Sequence, residues 1–263
     1  MAAVLGATGR YTLNALYAGA LVCVLMVDTV NWLVWQPLRG RGLRVRSTVE
    51  HFVEFGYRSM PIVGMISFLI GVIMAMQSAY TLKKFGAEIF IANLVGISAL
   101  RELAPLMTAI LITGRSGSAI TAEIGSMKVA EEIDALQVMG LNPTKFLVVP
   151  KFLAMVLAVP CVTVLSMLIM ILGGFFVAIG ILHIDPTSYY NQTALALDSK
   201  DLFTGLVKSI FFALVICWTG VYRGFQVEGG AEGVGHQTTA SVVTSIFLII
   251  IVDLVWTTLF YFV

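Results

Sequence analysis

Charged residues inside apolar segments are the part of this sequence with the most specific chemistry. Arg101 and Glu102 are neighbours in a long, mostly apolar segment, and Pro105 follows one turn later, where it favours a kink. A charge inside a membrane is costly unless it faces protein or water. Neighbours on a helix point about 100° apart, so each residue needs its own partner on another helix. The pair serves either as a polar contact that holds helices in register or as part of a substrate pathway, and the two roles are compatible.

Two further ionisable residues fall at a similar depth. With a rise of about 1.5 Å per residue, Lys208 lies ~10 Å into one apolar segment, and Asp253 lies ~12 Å into another from the same side. Arg101 and Glu102 have a comparable depth, so that four ionisable groups on three segments form one layer. We therefore predict that Lys208 has an acidic neighbour, either Glu102 or Asp253.

Small residues recur every fourth position after this layer. Such spacing lets helix backbones approach closely in membranes. Two adjacent stripes have it, and either could pack within the chain or form a seam between two copies of it. The first stripe is Gly114, Ser118 and Ala122, and the second is Thr113, Gly117, Thr121 and Gly125.

An amphipathic segment at 128–140 follows. Val129, Ile133 and Leu136 have helical spacing, and Gly140 and Pro143 end the helix. Its excess of acidic residues disfavours binding to an anionic lipid surface. We therefore expect a helix in a cytoplasmic loop that docks into a groove of another protein.

Several classes of function find no support in the sequence. There is no GxxxxGK[ST] motif, and the glycines of 228–235 have the wrong order for a dinucleotide fingerprint, so we expect a flexible loop there. No catalytic Ser/His/Asp or Cys/His set and no metal-ligand spacing occurs. A net charge of +1 gives no reason to expect nucleic-acid binding. We expect no enzyme activity, metal or bound cofactor, and any ATP chemistry would belong to another subunit.

The elements that position these residues are predicted to be membrane-spanning helices. The chain of 263 residues is 59% hydrophobic and 12% charged, too apolar for a soluble domain. We predict an all-α integral membrane protein. The third of its five spans is longer than a bilayer requires, so it should tilt, project or kink, with Pro160 and Gly173–Gly174 as the expected kink sites. The five spans are Met60 to about Leu82, about Ile89 to Ile124, Phe146 to Leu182, Leu202 to Tyr222, and Ala240 to Phe262.

The first 50 residues are expected to form a separate N-terminal part. We interpret Tyr11 to Trp35 as an elbow helix lying in the membrane interface, with a sixth span as the alternative. No signal-peptide cleavage site follows this segment. The basic residues Arg39, Arg41, Arg44 and Arg46 come next. The distribution of Lys and Arg places the N-terminus in the cytoplasm and the C-terminus outside.

Several motifs together resemble the MlaE family of ABC transporter permeases. The likeness covers nearly all of the chain after residue 50, and the central block is the most specific part. These motifs are Arg101-Glu102-Leu103-Ala104-Pro105, Gly114-Arg115-Ser116-Gly117-Ser118-Ala119, Thr121-Ala122-Glu123-Ile124-Gly125-Ser126-Met127-Lys128, Glu132-Ile133-Asp134-Ala135-Leu136, Met139-Gly140, Asn142-Pro143, Val149-Pro150-Lys151 and Ala231-Glu232-Gly233-Val234-Gly235.

This resemblance implies a fold and an assembly. The permease domain of residues 51–263 would have five spans and an N-terminal interfacial helix, and two copies would form a homodimer in the inner (plasma) membrane. The homodimer would sit on two copies of an ATPase that uses ATP and Mg, with a hexamer of an MCE-domain lipid-binding protein outside. Some such systems add a STAS-domain protein. Substrates are phospholipids in systems of outer-membrane asymmetry, and sterols or other hydrophobic compounds in related systems.

The resemblance also implies roles for particular residues. Arg101, Glu102 and Lys208 match polar positions of the lipid pathway, to which Asp253 is added by depth, and Tyr80 matches an aromatic position of the outward lipid cavity. The segment from Glu131 to Met139 would be the helix that couples to the ATPase, through Glu131, Glu132, Ile133, Asp134, Leu136 and Met139. Gly114, Gly117, Ser118 and Thr121 would pack helices or protomers together.

Two other classes of function remain as alternatives. In an ion-coupled secondary transporter, Glu102, Lys208 and Asp253 would form the coupling relay, but the internal repeat typical of many such proteins is not visible. In a membrane scaffold without transport, the charged residues would serve packing alone.

Overall fold

The computed structural model describes residues 24–33 and 44–262, and this part of the chain is almost entirely helical. The hydrocarbon of a membrane offers no hydrogen-bond partner to backbone N–H and C=O groups, so a spanning segment must pair these groups within the protein. No strand occurs in these two ranges. The helices are α1 (Val24–Leu33), α2 (Val45–Phe55), α3 (Met60–Leu82), α4 (Ile91–Ser98), α5 (Ala104–Ile112), α6 (Ser118–Val129), α7 (Glu132–Val138), α8 (Val149–Gly180), α9 (Pro186–Ala196), α10 (Ser199–Phe225) and α11 (Gly230–Phe262).

Five continuous helical stretches are long and apolar enough to cross a membrane, which confirms the predicted class of fold. They are Val45–Phe85, Glu88–Val129, Thr144–Gly180, Ser199–Phe225 and Gly230–Phe262. Short 3-10 and π turns join the helices within the first two stretches, and a π turn precedes α8 in the third. Successive spans run in opposite directions, so the bundle has two ends. We call them the α7 end and the α9 end, after the short helix at each.

α3 and α8 cross with their backbones in close contact. A Cβ atom on Gly71 would lie 2.0 Å from the carbonyl oxygen of Met170, and one on Gly173 would lie 2.4 Å from that of Phe68. α8 runs unbroken for 32 residues through Pro160 and Gly173–Gly174, so the predicted kink sites do not interrupt it. Gly173 therefore serves a close helix contact rather than a break. At about 1.5 Å per residue, α8 is longer than the hydrocarbon layer is thick.

The glycine-rich segment at 228–235 is helical from Gly230 onwards, so the prediction of a loop is wrong for most of this segment. Only its first residues form the turn, where Gly229 and Gly230 have φ values of 83° and 74°. From Gly230 onwards the chain belongs to α11. Gly233 is needed there because a Cβ atom would lie 1.7 Å from the carbonyl oxygen of Glu228.

Two helices were missed by the sequence analysis, and a third is shorter than predicted. α2 begins the first helical stretch, ahead of the span predicted from Met60, and α9 lies between the third and fourth stretches. The segment predicted at 128–140 is divided, since Lys128 and Val129 end α6 while Glu131, with a φ of 59°, makes the turn into α7.

The N-terminal elbow helix is described only in part. Within Tyr11 to Trp35 the described residues form α1, whose Leu33 packs against the main core. The Lys145 Nζ atom lies 5.2 Å from the centre of the Trp32 ring, which places this helix near the start of the third span. The rest of that segment, with Arg39 and Arg41, lies outside the described residues, and whether the segment crosses the membrane stays a prediction.

Candidate functional site in the membrane-spanning segments

The charged layer is built on three spans. Arg101 and Glu102 lie on a π-helical turn, Ala99–Leu103, directly before α5. Pro105 explains this turn, because a proline has no N–H to give to the carbonyl of residue 101. π turns inside helices are frequent at functional sites. α10 contributes Asp201 and Lys208, and α11 contributes Asp253 and Thr257.

Lys208 is the centre of the layer and its side chain is fully buried. Its Nζ atom donates to Glu102 Oε2 at 2.5 Å and to Thr257 Oγ1 at 2.7 Å. Asp253 Oδ1 lies 2.9 Å from the same nitrogen. The Thr257 hydroxyl in turn donates to Glu102 Oε1 at 3.1 Å. Lys208 thus has both of the acidic neighbours that the sequence offered as alternatives.

Arg101 has a different partner from Glu102. Its Nε atom donates to Asp201 Oδ1, and Asp201 is buried while half of the Arg101 side chain is exposed. The other oxygen, Asp201 Oδ2, accepts the Asp198 N–H at 3.1 Å and so caps the start of α10. As expected, the two neighbours use different partners, although both partners stand on the same helix.

Tyr80 lies apart from this layer. Its ring is 72% exposed near the end of α3, and the Lys84 Nζ atom lies 4.5 Å from the ring centre. Within the described ranges, no hydrogen bond or ion pair joins it to the charged residues. An exposed aromatic ring with a cation above it suits the polar margin of a membrane.

The two small-residue stripes face different ways. Gly117 and Thr121 are buried, and the Thr121 hydroxyl lies 3.0 Å from the carbonyl oxygen of Gly220 and 2.9 Å from Ser241 Oγ, so this stripe packs against α10 and α11. Gly114 is exposed, with nothing within 4 Å of an added Cβ atom. Ser118 donates to the Gly114 carbonyl at 2.5 Å and needs no outside partner. The first stripe is therefore open on the surface of the single chain.

α7 presents a surface different from the predicted one. Ile133 and Leu136 are buried in the main core of this same chain, and Val129 is exposed at the end of α6. The outward surface of α7 and its two flanking positions carries three acidic residues and two large apolar ones, with the exposed Ala135 and Gln137 between them. The acidic and large apolar residues are Glu131, Glu132, Asp134, Val138 and Met139.

An ion pair between a buried lysine and a half-exposed glutamate at the α7 end was also missed. The Lys151 side chain is 1% exposed, and its Nζ atom lies 2.6 Å from both carboxylate oxygens of Glu123. His51 Nε2 lies 3.2 Å from the same nitrogen. These contacts join α2, α6 and α8 next to α7. The sequence did not show this contact, because Lys151 lies near the start of the third predicted span and its burial depends on how α2 and α6 pack against α8.

An apolar cavity of about 530 Å³ lies between α8 and α9 at the opposite end. Phe175 and Leu172 form one side, and Tyr190 and Leu197 form the other. Tyr189 packs edge-on against Phe175, and burial raises the pKa of its phenol to about 12. This cavity could not be predicted because α9 was not.

Asp201 and Thr257 are the members of the charged layer that the sequence analysis did not select. Asp198-x-x-Asp201 at the start of a span has the spacing of a capping box, which could have indicated Asp201 as a cap. Thr257 has no comparable signal. Within 24–33 and 44–262, no cluster of three His, Cys, Asp or Glu residues could hold a metal ion.

Comparisons with known proteins agree with this architecture. A family model described as "Permease MlaE" matches residues 48–259. A "Probable ABC transporter permease protein" of Rickettsia prowazekii is 36% identical over 96% of this chain and 96% of its own length. A protein of the same description from Synechocystis is 37% identical over 81% of each chain.

A third relative carries a more specific name. The "Intermembrane phospholipid transport system permease protein MlaE" of Haemophilus influenzae is 32% identical over 81% of this chain and 82% of its own length. The match of the family model and these identities, spread over most of each chain, lead to one conclusion: this chain belongs to the MlaE permease family.

Proposed function

We propose that this chain is the membrane subunit of an ABC transporter that moves phospholipid or another hydrophobic lipid between the inner membrane and an MCE-domain partner. The observation that carries this proposal is the charged layer, in which a fully buried lysine and four other charged groups lie close together on three membrane-spanning stretches. The name of the Haemophilus relative supports a phospholipid as the substrate.

The layer suits an amphiphile because it combines two environments. Part of the Glu102 side chain and half of the Arg101 side chain are exposed, so both can meet a polar headgroup. The exposed surfaces of the surrounding spans are apolar and can accommodate acyl chains. Tyr80, further along the first span, would border the outward part of this route.

ATP hydrolysis would take place on a separate ATPase, of which the complex would hold two copies. α7 would dock there through Glu131, Glu132, Asp134 and Met139, which point outward. Ile133 and Leu136 would transmit the motion, because they fasten α7 to the main core of the spans. The α7 end would then be cytoplasmic, the C-terminus would be periplasmic, and a hexamer of the MCE-domain protein would lie at the α9 end. A STAS-domain protein on the ATPase is a further possible member of the complex.

Charge reversal on α7 tests the coupling surface. With Glu131, Glu132 and Asp134 all changed to lysine, the amount of ATPase that co-purifies with the chain should fall by at least ~tenfold. An acidic helix requires a positively charged docking groove on the ATPase, and that groove would repel the three lysines. Quantitative immunoblotting of the affinity-purified complex measures this. Glu88→Lys, at the α9 end, is the control and should keep the ATPase. Retention of the ATPase by the triple variant would contradict the proposed role of α7.

The open stripe of Gly114, Ser118 and Ala122 is proposed as the seam of a homodimer. Gly114 is exposed and Ser118 and Ala122 are half-buried, whereas the neighbouring stripe is packed, and the only hydroxyl of the open stripe is satisfied within its own helix. A backbone surface of this kind allows two helices to approach closely.

Cysteine cross-linking tests the seam. In a variant whose three native cysteines are alanine, Ser118→Cys should give a disulfide-linked dimer when membranes are oxidised, because equivalent residues meet at a twofold axis. The readout is a band of twice the mass on a non-reducing gel. Leu157→Cys, an exposed residue of α8 at a similar distance from the α7 end, should stay monomeric. Equal cross-linking at the two positions would reject the seam.

A further inference from the structure

Three polar residues at the α7 end form a cluster that lies apart from the charged layer. The Lys151 ammonium lies 2.6 Å from both carboxylate oxygens of Glu123 and 3.2 Å from His51 Nε2. His51 stands on α2, Glu123 on α6 and Lys151 on α8, so one buried ammonium joins the first three helical stretches. Among residues 24–33 and 44–262, no other ion pair at this end joins two different stretches. We call these three residues the Lys151 cluster.

Stability alone does not account for a lysine at this position. The Lys151 side chain is 1% exposed, and Phe152 and Met155, close to it on α8, belong to the main core. A buried ion pair is often no more stabilising than well-packed apolar residues of similar volume. An ion pair differs from them in its directed hydrogen bonds, which hold two helices in one register, whereas apolar attraction has no direction. The Lys151 cluster therefore fixes the position of α6 relative to α2 and α8.

The Lys151 cluster lies between α7 and the spans. α7 follows α6 after only two residues, Ala130 and Glu131, and Glu123 stands within the last two turns of α6. A displacement of α7 therefore reaches Glu123 through the chain itself. Ile133 and Leu136 attach α7 to the main core by apolar contacts, and the Lys151 cluster adds a polar attachment beside them.

The other polar contacts of α6 lead to different helices. Lys128 Nζ donates to the carbonyl oxygen of Phe225, the last residue of α10, at 2.6 Å. Thr121 contacts the Gly220 carbonyl and Ser241 Oγ, on α10 and α11. Within the described chain, the Lys151 cluster is thus the polar connection of α6 to α2 and α8.

Building on the proposed function, we infer that the Lys151 cluster transmits the movement of α7 to the first and third spans. Glu123 moves with α6, and Lys151 makes α8 and α2 move with Glu123. The three are positioning residues, because they act through these helices rather than on the lipid. Hydrogen-bond and ion-pair networks can carry energetic coupling between distant sites. Loss of the cluster should therefore leave ATP hydrolysis intact and separate it from lipid transfer.

A double variant separates transmission from folding. Glu123→Gln with Lys151→Met removes both charges and nearly keeps the side-chain volumes, so the protein should fold and bind its ATPase. The whole complex is reconstituted in liposomes, and both ATP hydrolysis and the transfer of a phospholipid with a fluorescent acyl chain are measured. The lipid transferred per ATP hydrolysed should fall by roughly fivefold or more, the size of a typical coupling between two sites.

Two results of the double variant would overturn the inference. The first is a wild-type ratio of lipid to ATP in the folded protein. The second is loss of the co-purifying ATPase, because the cluster would then only support the shape of the α7 surface. If the wild-type complex itself transfers no phospholipid while it hydrolyses ATP, the proposed function fails, whereas an unchanged ratio in the double variant refutes the transmission alone.

Arg46→Met with Glu50→Gln is the matched control. This pair makes the same change in charge at the same end of the bundle. Its side chains are 93% and 63% exposed, and both stand on α2, so the pair connects no two helices. The ratio of lipid to ATP should stay at the wild-type value.

His51→Phe tests one connection of the Lys151 cluster with little risk to folding. A phenyl ring keeps the stacking on Phe55, whose ring centre lies 5.5 Å away, but it cannot accept a hydrogen bond from Lys151. Only α2 is then released, so the ratio of lipid to ATP should fall less than in the double variant. A wild-type ratio in this protein would contradict the transmission to the first span.

Discussion

Replacing Lys208 with methionine is expected to reduce the amount of folded protein more than any other single change in the charged layer. The ammonium is fully buried and forms ion pairs with both Glu102 and Asp253. Without it, two carboxylates face each other inside the spans. Removing one partner of a buried ion pair costs about 3–5 kcal/mol. The measurement is the monodisperse fraction on size-exclusion chromatography in detergent, together with the melting temperature of what remains.

The matched control for this change is Lys200→Met. Lys200 stands on the same helix, but its side chain is exposed, so its loss should have little effect. Combining Lys208→Met with Asp253→Asn and Glu102→Gln should restore much of the stability, because the unpaired charges disappear with the lysine. A strong departure from additivity in this series measures the coupling. Additive effects would show that the three groups do not act as one network.

Substituting alanine for Gly205 is expected to disrupt the layer by displacing a helix. A Cβ atom there would lie 2.1 Å from the carbonyl oxygen of Leu100, next to Arg101, and 2.5 Å from Met167 Cε. The methionine can move aside, but the backbone carbonyl cannot do so without shifting the second span. We expect a lower melting temperature and a loss of lipid transfer by the reconstituted complex, because the Arg101–Asp201 and Glu102–Lys208 contacts both bridge these two spans.

Gly180→Ala distinguishes this effect from the helix propensity of alanine. Gly180 ends α8, and a Cβ atom there meets nothing within 4 Å. Alanine is the better helix former by up to about 1 kcal/mol, so this control should be neutral or slightly stabilising. Wild-type stability and lipid transfer in the Gly205→Ala protein would show that the two spans have more freedom at this contact than the structure indicates.

The spans could be predicted because one physical requirement governs them, a run of apolar residues long enough to cross the hydrocarbon. α2 and α9 could not be found in this way, since each has 11 residues with polar and apolar types mixed. The helical start of α11 was missed because glycines usually indicate a loop. There, Gly233 is required by the nearby carbonyl of Glu228 instead.

The charged layer was partly predictable for a similar reason. Depth along a helix follows from a constant rise per residue, which placed Lys208 near Glu102 and Asp253. Rotation about the helix axis does not follow from depth, so the sequence could not show that Arg101 turns towards Asp201. Burial at the α7 end depends on how α2, α6 and α8 pack against one another, which the sequence does not show, and the contact of Lys151 with Glu123 was therefore missed.

Asp201 and Lys208 stand seven residues apart on α10, which is about two turns, and both bind the neighbours Arg101 and Glu102 on the second span. A rotation of α10 about its axis would break both pairs together, and so would a shift of α10 along that axis. During a transport cycle these two spans should therefore travel as one rigid unit. The change between open and closed forms would then occur at surfaces without ionic contacts, such as the exposed side of the second span at Gly114.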